Sequence, residues 1–203
     1  MKKQILLAAL LLVSMSAAAQ ETTAQVEKKT KAWSFVPKVG ANIAWVTNDD
    51  AAETNPRIGL VLGGEFNYHN PKSHFGFSFG MLYSQQGIKE KDRLGDLTAK
   101  LDYLNFPLLL NYHVNKSFTL KFGLQPGFNV KHSAFLDAGG GWNGRGEIEG
   151  MNNFDLSIPM GFSVGDDYLM FDVRFNLGLT NWHSAVDSNH RVIQLTVGYK
   201  FDL

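Results

Sequence analysis

The sequence predicts an all-β fold, an eight-stranded antiparallel up-and-down transmembrane β-barrel. Apolar and polar residues alternate with a period of two in eight separate stretches of the 203-residue chain. The connections between those stretches alternate short and long. No segment carries apolar residues at the i, i+3, i+4, i+7 spacing of an amphipathic helix.

The closing stretch sets the pattern. Ile193, Leu195, Val197, Tyr199, Phe201 and Leu203 alternate with Gln194, Thr196, Gly198, Lys200 and Asp202, an amphipathic strand expected to close a barrel against the first strand. That first strand is expected at 35–46, with Phe35, Val39, Ala41, Ile43 and Trp45 on one face and Lys38, Gly40, Asn42 and Ala44 on the other. The second, 57–68, sets Ile58, Leu60, Leu62, Phe66 and Tyr68 against Gly59, Gly63, Glu65 and Asn67. The third, 74–87, sets Phe75, Phe77, Phe79, Met81 and Tyr83 against Gly76, Ser78, Gly80, Ser84 and Gln86.

A fourth strand, 99–113, turns Leu104, Phe106, Leu108, Leu110 and Tyr112 outward and Asn105, Pro107 and Asn111 inward. The fifth, 118–130, opposes Phe118, Leu120, Phe122, Leu124, Phe128 and Val130 to Thr119, Lys121, Gly123, Gln125 and Asn129. The sixth, 154–164, opposes Phe154, Leu156, Ile158, Met160, Phe162 and Val164 to Asp155, Ser157, Gly161 and Ser163. The seventh, 169–181, opposes Leu169, Phe171, Val173, Phe175, Leu177 and Leu179 to Asp172, Arg174, Asn176 and Thr180. Pro107, Pro126 and Pro159 fall inside these strands, where a missing N–H predicts a bulge or the end of regular pairing.

Short connections at 69–73, 114–117 and 165–167 alternate with longer ones at 47–56, 88–98, 131–153 and 182–191. Outer-membrane barrels show this asymmetry, with short periplasmic turns and longer external loops, and an even strand number places both termini on the periplasmic side.

Composition narrows the class. Lys+Arg and Asp+Glu both number 19, which removes the electrostatic case for nucleic acid. The chain has no Cys, so neither a thioether lipid anchor nor a disulfide framework is available. Lys2 and Lys3, the apolar run Ile5–Val13 and Ala17–Ala19 read as a secretory signal over residues 1–19. Residues 20–34 read as a disordered periplasmic lead-in, and 35–203 as the barrel domain.

The apolar face is dominated by Phe, Leu, Ile and Val. Tyr68, Tyr112, Phe118, Tyr199 and Phe201 gather at one end of the strands and Trp45 and Tyr83 at the other, in the manner of two interfacial girdles. The opposite face holds Lys38, Glu65, Lys121, Asp155, Asp172, Arg174, Lys200 and Asp202. An eight-stranded barrel is filled by its own side chains, so these charges are expected to pair across the lumen. Inward glycines would leave room for the long ones, and the interior reads as a plug.

The segments Leu101–Tyr112, Phe171–Thr180 and Gln194–Phe201, together with the Ala19/Gln20 boundary, resemble the PorT-like outer-membrane β-barrel family of Bacteroidetes. The resemblance implies an eight-stranded outer-membrane barrel, one namesake being tied to gliding and protein secretion, and supplies no catalytic pattern.

No catalytic, cofactor-binding or metal site is expected. The glycines of 139–146 lack a following Gly-Lys-Ser/Thr and read as an external loop. His69, His74, His113 and His132 have no ligand partners at metal spacing. Lys89–Arg93 reads as a solvated external loop whose cations suit lipopolysaccharide phosphates or a partner protein. His183, Ser184, Asp187 and His190 carry the residue types of a nucleophile, base and orienter, so a lipid-modifying enzyme using the last external loop is the alternative reading. A soluble lipocalin-like barrel with the apolar face inward is a third. The expected partners are the outer-membrane lipid bilayer, lipopolysaccharide and a protein at the external loops, with no nucleic acid and no cofactor.

Overall fold

The computed structural model describes residues 32–48, 55–92, 95–137, 143–146, 152–183 and 186–203. Every element among them is a strand: β1 (Trp33–Asn48), β2 (Asn55–His69), β3 (Phe75–Asp92), β4 (Gly95–Asn105), β5 (Leu108–His113), β6 (Phe118–Asp137), β7 (Asn143–Gly146), β8 (Phe154–Gly165), β9 (Leu169–His183), β10 (Val186–Tyr199) and β11 (Phe201–Asp202). Neighbours pair antiparallel, and β10 returns to β1 with Lys38 opposite Gly198 and Ile43 opposite Ile193. The result is a closed barrel of eight antiparallel strands. Closure matters because an open sheet edge leaves backbone N–H and C=O groups that hydrocarbon cannot satisfy.

Eight staves arise from eleven strands because three staves are subdivided: β4 with β5, β7 with β8, both of which pair with β6, and β10 with β11. β4 and β5 are a single stave. Leu82 faces Asn105 on one side of the gap and Phe79 faces Leu108 on the other, in the same register. The break comes from Pro107, which has no N–H to return to Gly80, although Gly80 N donates to the Pro107 carbonyl at 3.2 Å. Pro126 sits directly across from Phe106, whose N–H donates to the Pro126 carbonyl at 2.8 Å, and again only one bond of the pair forms. The expectation of interrupted pairing holds at Pro107. Pro126 and Pro159 instead lie within continuous strands, each paired across to a neighbour, Pro126 to Leu156 and Pro159 to Asn176. Likewise β10 and β11 share a stave, with β11 set against Ser34 and Phe35 of β1.

The end bearing the turns after β2, β5 and β8 is tight, and each turn is headed by an Asn or Asp side chain. Asn70 Oδ1 accepts from Lys72 N, Asn115 Oδ1 from Ser117 N and Phe118 N, and Asp166 Oδ1 from Tyr168 N and Leu169 N. Such side chains mimic the backbone of a turn and fix it locally. Trp33, expected in the lead-in, begins β1 at this end and packs on Tyr68 and Phe77.

The opposite end differs from expectation. The connections expected at 88–98 and 182–191 are largely strand: β3 runs to Asp92 opposite Gly95, and β9 to His183 opposite Val186. Part of 131–153 is strand as well, since β6 continues to Asp137 and β7 pairs beside it, Ala134 with Gly146. Lys89–Asp92 and Asn143–Gly146 are therefore strand segments and not loop. In these outer segments the polar-apolar alternation that marks a strand in the sequence disappears while backbone pairing continues.

Side chains divide by parity as expected. Ile58, Phe79, Phe122, Phe171 and Leu195 are exposed on the outer wall, 73%, 40%, 57%, 57% and 43% respectively. Glu65, Arg174, Asp172 and Lys38 are buried inside. In water this arrangement would be inverted; hydrocarbon outside and a polar interior suit a membrane barrel.

Candidate functional site

The lumen is closed by one cluster of charges. Lys38 Nζ lies 2.6 Å from Glu65 Oε2 and 3.0 Å from Asp172 Oδ2, and Lys121 Nζ lies 2.5 Å from Asp172 Oδ2. The Arg174 guanidinium is held on two edges. Nη1 and Nη2 meet Glu65 Oε1 and Oε2 at 2.5 and 2.7 Å, while Nε meets Asp172 Oδ1 at 2.6 Å. All five side chains are at most 2% exposed. Removing these charges from water is costly, and the mutual pairing in a low dielectric compensates only because every member has an opposite charge at contact distance.

Glycine placement makes the cluster fit. Lys38 lies between Gly198 of β10 and Gly63 of β2, Glu65 opposite Gly80 of β3, and Gly161 of β8 opposite both Lys121 and Arg174. A Cβ added at Gly80 would stand 2.7 Å from Glu65 Cγ, and one at Gly198 would stand 3.0 Å from Lys38 Cγ. Each long charged side chain thus crosses the lumen over a neighbour that has none.

Of the eight charges expected to pair, five form this plug. Lys200 and Asp202 pair with each other at 3.5 Å, about one-third exposed, at the short-turn end. Asp155 is separate, accepting from the Thr180 hydroxyl at 2.8 Å. Apolar inward residues were missed: Val36, Val61, Leu82, Leu101, Tyr103 and Leu109 are buried among the polar ones. Parity carried the signal, since each shares its face with an inward residue that was identified.

Two histidines that are far apart in sequence meet at the short-turn end. The rings of His69 and His113 stand 4.1 Å apart edge to face, with His113 Nδ1 2.9 Å from Thr119 Oγ1. His74 Nδ1 contacts the His113 carbonyl oxygen at 2.9 Å. Among the described residues no three His, Asp or Glu side chains converge as metal ligands.

The alternative catalytic set is only partly placed. His183 ends β9 opposite Val186, and His190 pairs with Val46 across β10 and β1. Ser184, the candidate nucleophile, lies outside the described residues, as do Arg93 and the glycines at 139–141.

A closed eight-stranded antiparallel barrel, apolar outside and ionically plugged inside, defines an integral outer-membrane protein. The chain belongs to the outer membrane protein beta-barrel domain family, whose model matches residues 18–184. Its fold is similar to that of Ail, the attachment invasion locus protein of Yersinia pestis, with a TM-score of 0.51 and 13% identity over 84% of this chain and 99% of that one. Ail in complex with the heparin analogue sucrose octasulfate gives 0.52 and 13% over 83% and 99%. Neisserial surface protein A gives 0.50 and 12% over 82% and 97%. No curated protein sequence matches the chain.

Proposed function

We propose that this is a non-enzymatic, non-conducting outer-membrane barrel of the PorT-like kind found in Bacteroidetes, which holds a protein or surface component at its external end. The observation that carries the reading is the plug: Arg174, Glu65, Asp172, Lys38 and Lys121 occupy the lumen and are at most 2% exposed. A lumen filled in this way supports no solute path, which leaves the rim and outer hairpins as the working surface. The strands favour that rim, since β3, β4, β6 and β9 continue well past the lipid-facing residues. Residues 1–19 act as the signal peptide, the residues between them and Trp33 of β1 as the periplasmic lead-in, and both termini lie in the periplasm beside the short turns.

The test is capture of the tagged, full-length protein from outer membranes in mild detergent, with mass spectrometry of accompanying proteins. A reproducible stoichiometric partner, lost when the outer hairpins are exchanged, supports the reading; capture of the barrel alone opposes it. The enzymatic alternative is tested in the same strain. Lipid A composition that changes when His183, Ser184 and Asp187 are replaced would overturn the non-enzymatic assignment.

A further inference from the structure

Between the plug and the long-hairpin end the lumen contains a small pocket of about 10 Å³, whose polar lining is Gln86, Gln125, Asp155, Ser157 and Asn176. That is room for a single body the size of a water molecule. Neighbouring hydroxyls fix which way the amides point. Gln125 Nε2 donates to Ser157 Oγ at 3.4 Å, the Ser157 hydroxyl donates to the Gln125 backbone carbonyl at 3.3 Å, and Gln86 Nε2 donates to Ser84 Oγ at 3.0 Å. With its N–H group so engaged, Gln125 keeps its side-chain carbonyl oxygen without a hydrogen-bond partner.

Gln125 Oε1 and Asn176 Oδ1 are shielded from solvent without a hydrogen-bond partner, on residues only 3% and 4% exposed. Beside them stands the Asp155 carboxylate, which accepts a hydrogen bond from the Thr180 hydroxyl. The plug does not use it, because Lys38, Lys121 and Arg174 are all engaged by Glu65 and Asp172.

A water molecule has two protons to give. The pocket offers a carboxylate, two shielded amide oxygens and the hydroxyl oxygen of Ser157, so one water leaves acceptors unsatisfied at a cost. A cation satisfies all of them. Oxygen-only donors select hard ions over zinc or copper. We propose that Asp155, Gln125, Asn176 and Ser157 bind one hard cation of the calcium type inside the barrel. With one carboxylate in the set and the net positive plug one layer below, the affinity falls in the weak class, about 10⁻³ M.

The probe is terbium, a calcium substitute whose emission is sensitised by a nearby tyrosine; Tyr103 is buried on the same inner wall. The full-length barrel, folded in non-ionic detergent and checked for heat-modifiable migration, is titrated with Tb³⁺ and then chased with Ca²⁺. Sensitised emission should be displaced by Ca²⁺ and should weaken about tenfold or more in Asp155→Asn and in Gln125→Met, both still folded. Glu147→Gln with Glu149→Gln, two carboxylates outside the described residues, controls for non-specific lanthanide binding and should leave it unchanged. Emission that survives Asp155→Asn, or that disappears only in the Glu147/Glu149 variant, would overturn the assignment and leave water in the pocket.

Discussion

Arg174 of β9 and Glu65 of β2, 109 residues apart in sequence, face each other in a two-pronged contact across the barrel interior. Three steps around the wall separate their staves, by way of β10 and β1. The pair therefore joins parts of the wall that backbone pairing does not connect directly. Asp172 takes the other edge of the guanidinium and passes the network on to Lys121 of β6.

Removing one partner from such a network leaves an uncompensated charge in a dry interior. Glu65→Gln or Arg174→Met should lose about 3–5 kcal/mol of folding stability. Urea-dependent folding into lipid vesicles, followed by heat-modifiable migration, measures it. Lys200→Gln, whose pair is one-third exposed, should change little in the same assay.

The glycines opposite the charged residues make a steric prediction. At Gly80 a side chain would meet the Gly64 carbonyl oxygen as well as Glu65 Cγ, and at Gly198 it would meet Val36 Cγ1 at 2.6 Å. Gly80→Val should destabilise by about 1–3 kcal/mol through overpacking. Part of the obstruction is the Gly64 backbone, so Gly80→Val with Glu65→Asp should recover none of that loss in the same titration.

The outer wall predicts a different response. Phe79 is exposed on the apolar face, stacked with Phe66. Phe79→Arg should cost about 2–4 kcal/mol of assembly near the bilayer midplane. Normal folding yield of that variant in vesicles would mean that this face does not meet hydrocarbon.

Strand identity and facing were legible in the sequence because lipid on one side and packed side chains on the other force a period of two. Lys38, Glu65, Asp172 and Arg174 stood out as charges within otherwise apolar stretches, and the glycines beside them showed where room was made. The outer hairpins were not legible. Lys89–Asp92 and Val186–Asn189 carry no apolar-polar alternation in sequence, and backbone pairing alone makes them strands. Nor did spacing show which charges would meet. Asp155 and Asp172 look alike in the alternation, yet Asp155 sits by Thr180 and Asp172 in the plug, because their heights along the barrel axis differ.

One turn is sensitive to acid. Backbone N–H groups of Leu169 and Tyr168 hold the exposed Asp166 carboxyl below the usual aspartate range. A depressed carboxylate contributes its stabilisation above the unfolded-state value, near pH 3.9, and loses it as pH falls through the lower folded value. Amide signals of Tyr168 and Leu169 should shift in that acid window, and Asp166→Ala should abolish the titration while leaving the barrel folded.

Planar-bilayer conductance of the purified barrel tests the central claim, a lumen closed by paired charges, most directly. The wild-type protein should insert without discrete conductance steps, and stable steps should emerge only when the plug is dismantled, as in Arg174→Ala with Lys38→Ala. Regular open-channel steps from the folded wild-type barrel would contradict a closed lumen.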